Sequence, residues 1–403
     1  MRCGAIASSS EPAGPTDRPD GAGALPGLIA SATIGFCAFI SIFAPQPLLP
    51  LFERLFQASK AQVAWTMSAT TIAVALCSPF IGAVADRVGR RRLIVLSFFA
   101  MAVPTGLVAT ASSIGEMVAW RFVQGALLPG AYAIALAYIG EAFQGGGVGR
   151  AMAALVTGSV VGGFSGRLIA GLTAQSLGWR SSFLTLAALT ALGGVASARL
   201  LPARQAPTSS RSQPLRALRA LAARLDGRLA VTYVVAFNVF FTQSAILTYV
   251  TFHLAEPPYH LSVAQLSWIF VVYLFGAAVT PLSGRWIDRL GSRRTLATAV
   301  GTALCGACLT LVPSIAVVVL GLAVCCTAAF VSQSAATSFL QIAAPHDLRS
   351  TASGVYVSCY YLGGCVGGVV PAAAWHVGGW TGVIVLVAFV QLATLAIALR
   401  YWR

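Results

Sequence analysis

Apolar stretches of membrane-spanning length recur along the chain, separated by short polar punctuation rich in arginine. A helix needs about 20 apolar residues to cross the hydrocarbon core of a bilayer. That length predicts spans over residues 27–51, 61–83, 92–111, 115–139, 148–173 and 180–199. Six more follow over 229–252, 264–286, 295–313, 315–340, 350–373 and 378–399. The fold class so predicted is an all-α membrane protein of about twelve transmembrane helices, in two six-helix bundles at 25–199 and 229–403. Residues 1–24, rich in Ser, Gly, Pro and Ala, read as a disordered cytoplasmic tail. They do not read as a cleaved signal, because the first apolar run is followed by many others. Residues 200–228 carry Arg204, Arg211, Arg216, Arg219, Arg224 and Arg228 among Pro and Ser, and read as a basic cytoplasmic linker.

Composition sharpens this picture. Of 403 residues, 57% are hydrophobic and 9% charged, whereas a soluble domain carries roughly a quarter charged residues. The apolar surplus needs a lipid bilayer as its partner. A net charge of +15 would suit nucleic acid if it were gathered on one face. The arginines are instead spread in short runs between apolar stretches, as the positive-inside rule produces, so no nucleic acid is expected. The runs at Arg87–Arg92, Arg204–Arg228 and Arg285–Arg294 fall on one side of the twelve-span topology, together with Arg400 and Arg403. The other side holds Arg54, Lys60 and Arg180. This asymmetry places the chain in the cell inner membrane with both termini cytoplasmic.

Most cysteines lie inside apolar runs, where a thiol behaves as a small hydrophobe, and Cys305 and Cys308 have no polar partners beside them. His253, His260, His346 and His376 form no ligand-spaced set. No metal or cofactor is therefore expected, and no converging nucleophile and base marks an enzyme.

The two halves repeat each other. Gly82, Asp86, Arg87, Gly89, Arg91 and Arg92 recur as Gly284, Asp288, Arg289, Gly291, Arg293 and Arg294, with Pro79 and Pro281 three residues upstream of the opening glycines. Ala61-Gln62 and Trp65 echo Ala264-Gln265 and Trp268, and Gly178-Trp179 echoes Gly379-Trp380. Repeats offset by half a chain are the mark of a duplicated bundle. Such bundles place a binding site near the membrane midplane, between the repeats, and expose it alternately to either side.

These landmarks resemble the major facilitator superfamily over nearly the whole chain. Gly82, Asp86, Arg87, Gly89, Arg90 and Arg91 match its loop pattern G-x-x-x-D-R-x-G-R-[KR], and Gly284, Asp288, Arg289 and Gly291 match the degenerate second copy. The resemblance implies a secondary transporter of a small organic solute, usually monomeric, with protons as the coupling ion. It also implies a cytoplasmic latch formed by Asp86, Arg90 and Glu141. Asp86 would face the N-terminus of the eleventh helix, whose dipole favours an anion; the arginines alone could equally serve topology. Arg121 and Gln124 resemble the family's R-x-x-Q-G motif, which it links to coupling or substrate binding. Gly158, Gly162, Gly166 and Gly171 make a small-residue face on the fifth span, suited to close helix packing. That face resembles the antiporter motif of the efflux branch. Arg167, however, stands at the motif's proline position, so outward transport is suggested without being secured.

Arg121 and Arg167 fall at similar depth, about 9 Å inside the outer boundary in the case of Arg121. Charges there face the bundle interior or water by default. Together they could hold an anionic group, or they could pair with Glu53 or Glu116; Arg121 could also snorkel to the interface. Gln46, Asn238, Thr242, Gln243, Tyr273, Gln333, Tyr356 and Tyr360 are the polar residues within spans that could line a cavity. Asn238 and Thr242 share a helix face, as do Tyr356 and Tyr360. No Asp or Glu lies near the middle of a span, so a midplane proton carrier is missing. Nutrient uptake, uniport and a nontransporting membrane sensor remain alternatives to efflux.

Overall fold

The computed structural model describes residues 21–142, 147–201 and 214–402, and every regular element among them is helical. Most of the predicted tail (1–20), linker residues 202–213 and the Glu141 side chain lie outside the described residues. The first half comprises α1 (Gly21–Phe39), α2 (Leu49–Leu55), α3 (Lys60–Cys77), α4 (Ile81–Val88), α5 (Arg90–Leu107), α6 (Ile114–Ala142), α7 (Val148–Leu177) and α8 (Trp179–Leu200). A short helix, α9 (Pro214–Ala223), occupies the end of the linker. The second half comprises α10 (Gly227–Ala255), α11 (Val263–Ile269), α12 (Val272–Leu309), α13 (Ile315–Ala343), α14 (Arg349–Val369) and α15 (Pro371–Tyr401). Among the described residues, 7 helices are individually long and apolar enough to span a membrane, and up to 9 if each bent pair counts as one span.

The predicted spans fall on helices, but several are broken. The span over 27–51 leaves its helix after Phe39 and resumes at Leu49, because Pro45, Pro47 and Pro50 remove backbone donors and fix φ. The span over 61–83 bends by 66° between α3 and α4. The repeated landmarks mark helix starts and breaks. Ser59 and Ser262 each begin a capping box with the glutamine three residues on, Gln62 and Gln265. Such boxes satisfy backbone donors that a helix N-terminus otherwise leaves open. Gly89 and Gly291 adopt φ of 90° and 76°, where a Cβ would be strained, so each repeat turns its loop into the next helix at a glycine.

Within each half, small residues bring helices into backbone contact. A methyl added at Gly158 or Gly162 of α7 would overlap the carbonyls of Ala32 or Phe36 on α1, and one at Gly166 the carbonyl of Ile40 just beyond it. In the second half, Gly363 and Gly367 of α14 meet the carbonyls of Phe237 and Phe241 on α10 in the same way. The halves join along α3–α14 and α7–α11. Ser68 Oγ donates to Cys365 O at 2.9 Å, Ser358 Oγ to Ala75 O at 3.1 Å, and Ala264 N to Gln175 Oε1 at 3.1 Å. Gly171 abuts Ser267 across this seam.

The core is distributed unevenly along the membrane axis. Towards the face that carries Lys60, one continuous apolar cluster includes residues of both halves, such as Phe52, Trp179, Leu254 and Trp380. Towards the arginine-rich face the buried core divides in two. One part is built from first-half residues such as Leu93, Ile94 and Leu155, the other from second-half residues such as Leu229, Leu296 and Phe339. The halves are therefore sealed together at the Lys60 face and separate towards the opposite one.

Candidate functional site

Where the halves begin to separate, aromatic side chains from both line the seam. Phe39 and Phe43 stand one turn apart on the first span, their ring centroids 6.2 Å apart, and Phe39 meets Tyr132 of α6 edge-on at 4.8 Å. Phe43 reaches across to Phe240 of α10 at 6.3 Å. Phe240 stacks on Tyr360 at 4.5 Å and meets Tyr361 at 5.6 Å. Tyr273 of α12 meets Phe330 of α13 at 5.6 Å. Tyr273, Tyr360 and Tyr361 are half-buried, and this aromatic-lined seam between the halves is the candidate chamber. Gln333 is half-buried one turn beyond Phe330, on the same face of α13. Apolar walls with a few placed polar groups are the usual make-up of a small-molecule pocket.

Arg167 of α7 closes the chamber towards the Lys60 face. It is 1% exposed. Its Nε donates to Gln46 Oε1 at 2.7 Å and its Nη1 to Gly163 O at 2.8 Å. Three ring centroids surround the guanidinium carbon: Phe43 at 4.8 Å, Phe270 at 4.8 Å and Tyr273 at 4.9 Å. The Tyr273 hydroxyl is directed at Arg167 and Gln243. Sequence reasoning selected Gln46, Gln243, Tyr273 and Tyr360, which the structure brings to the seam, and Gln333, which lies one turn beyond Phe330. It missed Phe39, Phe43, Tyr132, Phe240, Phe270 and Phe330, which are indistinguishable in pattern from ordinary packing aromatics.

Arg121 sits nearby in a different environment. Its Nε donates to Thr66 O at 3.0 Å and its Nη1 to Ser41 O at 3.0 Å, with further bonds to Gln124 Oε1 and Ile42 O. Ser41 and Ile42 follow α1 directly, where a helix end leaves carbonyls without intrahelical partners. Gln124 Nε2 in turn donates to Ser41 Oγ and Thr105 Oγ1, both at 2.7 Å. This pair thus ties the broken first span to α3, α5 and α6. Neither arginine pairs with the predicted acids: Glu53 bonds Lys60, and Glu116 accepts from the backbone of Ser112. Nor does Arg121 snorkel, being 0% exposed.

At the sealed face Lys60, the first residue of α3, inserts between the halves. Its Nζ lies 2.7 Å from Glu53 Oε1 of its own half and 2.9 Å from Glu256 Oε1 of the other. The Phe252 and Trp375 ring centroids stand 5.1 and 5.3 Å away. Glu53 and Glu256 also border a vestibule of about 450 Å³ together with Arg54 and Gln57. The pairing of residues 196 positions apart left no sequence signal beyond their charges.

The repeated loops lie at the arginine-rich face. Asp86 is half-buried and Asp288 exposed, and neither carries an ion pair or hydrogen bond among the described residues. The predicted approach of Asp86 to the N-terminus of α14 is not made in this conformation, in which α4 packs on α5 and α6 of its own half. Arg91 donates to Ala198 O at 2.5 Å and Leu201 O at 3.0 Å, capping the end of α8. Arg87 and Arg289 are exposed, and Gly82 and Gly284 have open space around them.

Three proposed lining residues turn away from the chamber. Asn238 donates to Gln391 Oε1 at 3.3 Å and Thr242 to Asn238 Oδ1 at 3.2 Å, against Leu296, Val300 and Cys325 inside the second half. Tyr356 packs in the second-half core. The face shared by Asn238 and Thr242 was legible in the sequence, but its direction was not.

The comparisons with known proteins agree with this architecture. Residues 32–368 match the family model described as the Major Facilitator Superfamily. The MFS-type transporter YybF of Bacillus subtilis is 28% identical over 362 residues, covering 90% of this chain and 89% of its own. The inner membrane transport protein YnfM of Escherichia coli is 26% identical over 377 residues, covering 93% and 90%. The crystal structure of the nucleoside transporter NupG superposes with a TM-score of 0.79 at 15% identity, covering 94% of this chain and 100% of that one. An inward-facing bacterial homologue of the lysosomal transporter Spinster gives 0.70 at 16%, covering 95% and 96%. At such identities the structures establish the fold. With the matched model spanning most of its length, this transporter chain belongs to the major facilitator superfamily.

Proposed function

We propose that the protein exports a small organic solute across the inner membrane by alternating access, as a monomer, in exchange for protons. The observation that carries this reading is the chamber at the seam. Both halves wall it, and contacts that a rocking of the halves would break seal it at one face. The arginine-rich face is assigned to the cytoplasm by the positive-inside rule, which places both termini there and makes the conformation inward-open. Rocking of two repeats around a midplane site is how such bundles expose it alternately.

Outward direction is favoured by the glycine-stepped α7, which resembles the antiporter branch despite Arg167. Proton exchange is favoured by the outer seal. Glu53 and Glu256 border the outer vestibule, and the contact of Glu256 with Lys60 ties the two halves together there. Asp86 and its loop serve as the opposing latch, engaging when the cytoplasmic side closes. A uniport reading is favoured by one observation, the lack of a carboxylate among the described chamber residues.

Proteoliposomes with an imposed pH gradient and a panel of organic cations, anions and neutral solutes distinguish these readings. Cargo-dependent dissipation of the gradient, lost in Glu256→Gln, is the expected result. Cargo movement without proton flux would leave a uniporter.

A further inference from the structure

We propose that Arg167 anchors the carboxylate of the transported solute, an amphipathic monoanion with a planar apolar body. This rests on the transport reading above and specifies the chemical class of its cargo.

The argument starts from an unbalanced charge. Ion pairs among the described residues include those of Lys60 with Glu53 and Glu256, and of Arg224 with Asp347. Arg167 has no carboxylate partner among the described residues, although it is buried at membrane depth between the halves. Removing such a charge from water without a counter-ion is unfavourable, and intramembrane arginines mark substrate paths for that reason. The three surrounding rings attract the cation through their quadrupoles but do not neutralise it. Its donors meet neutral groups alone: Nε serves Gln46, Nη1 serves Gly163, and the Tyr273 hydroxyl bonds the guanidinium from the second half. Arg121 makes the contrast, since its guanidinium donates to three carbonyls and one amide that all belong to its own half.

The surroundings match an organic anion. Tyr273 O–H stands beside the guanidinium from the second half, with the Gln243 amide next to that hydroxyl, and both groups can donate to a carboxylate held by the first. Bound there, the anion would bridge the two halves. Behind it Phe43, Phe240, Tyr360 and Tyr361 continue as ring faces towards the cytoplasmic opening, suited to a planar body. An ammonium ion would meet Arg167 without any acidic partner, so organic cations are disfavoured.

The test is binding of 1-naphthoate, its isosteric amide 1-naphthamide and 1-naphthylmethylammonium to the purified full chain. It is read by thermal unfolding and titration, with counterflow of p-aminohippurate in proteoliposomes. The expected result is a Kd for the carboxylate at least about tenfold below that of the amide. That preference is lost in Arg167→Gln and partly kept in Arg167→Lys. Tyr273→Phe, which leaves Arg167 in place, lowers it severalfold and serves if Arg167→Gln fails to fold. Equal binding of amide or ammonium, a preference that survives Arg167→Gln, or no carboxylate binding would each overturn the assignment. Counterflow of amides or ammonium ions in place of carboxylates would overturn it while leaving transport intact. Carboxylate binding without counterflow would uphold the anion site and overturn the transport reading instead.

Discussion

Lys60 is the pin of the outer seal, and removing its charge should open that face. Lys60→Met keeps a long apolar stem but loses every charge contact across the seam. Three of the groups around Nζ belong to the opposite half: Glu256 at 2.9 Å, Phe252 at 5.1 Å and Trp375 at 5.3 Å. Glu256 is 45% exposed against 14% for Lys60, so solvent screens the pair and its contribution is about 1 kcal/mol. Each ring contact adds about 0.5–1 kcal/mol at a partly desolvated site. The sum, about 2–3 kcal/mol, corresponds to a roughly 30- to 150-fold shift from closed to open at this face. Glu53 lies in the same half as Lys60 and contributes by holding the amine in position.

Spin labels at Arg54 and Val377, exposed residues of opposite halves near this face, report the change as a distance distribution. The measurement needs a background with the native cysteines replaced. Lys60→Met should move most of the population to the longer distance. Glu256→Gln, which keeps both rings, should produce a smaller shift of about fivefold. A distribution unchanged by Lys60→Met would refute the pin. An equal response to both substitutions would show that the ring contacts contribute nothing.

Two further substitutions test the other elements. Arg121→Lys retains the charge but loses the forked donors. With at least two bonds to buried carbonyls missing, it should destabilise the fold by about 3–6 kcal/mol, read as a lowered melting temperature in detergent; an unchanged melting temperature would remove its structural role. Asp86→Asn should leave the melting temperature of this conformation within about 0.5 kcal/mol equivalent, because Asp86 makes no bond in it among the described residues. Transport should nevertheless be lost, and unchanged transport would remove the latch assignment.

The parts legible in the sequence were those fixed by local backbone chemistry. Ser59-Gln62 and Ser262-Gln265 are capping boxes, and Gly89 and Gly291 are turns that need positive φ. These features recur because each half must start and turn its helices at the same points. The small-residue face of α7 was legible for a similar reason, since a methyl at Gly158 or Gly162 would strike the α1 backbone. What stayed hidden depends on how helices are rotated about their own axes. A membrane helix is apolar all round, so periodicity gives no inward direction. Asn238 and Thr242 accordingly looked like chamber residues but face Gln391 and the interior of their own half. Phe240, two positions on from Asn238, is the residue that reaches the seam.

Arg121 and Arg167 looked alike in the sequence, and their surroundings separate them. Both are arginines at similar depth on helices of the first half, both almost wholly buried. Arg121 lies where the first span breaks, and the carbonyls of Ser41 and Ile42 freed there take its donors. Its charge is spread over hydrogen bonds that the fold itself requires, so little capacity remains for a ligand. Arg167 replaces the proline of an otherwise familiar helix face and meets one amide, one carbonyl and three rings. Phe270 and Tyr273, two of those rings, belong to the opposite half, so any rocking of the halves must alter the environment of its charge. A residue whose charge is satisfied within one half can hold that half together in every state. A residue whose partners are divided between the halves, and which meets no carboxylate among the described residues, is placed to make solute binding and the rocking motion one event.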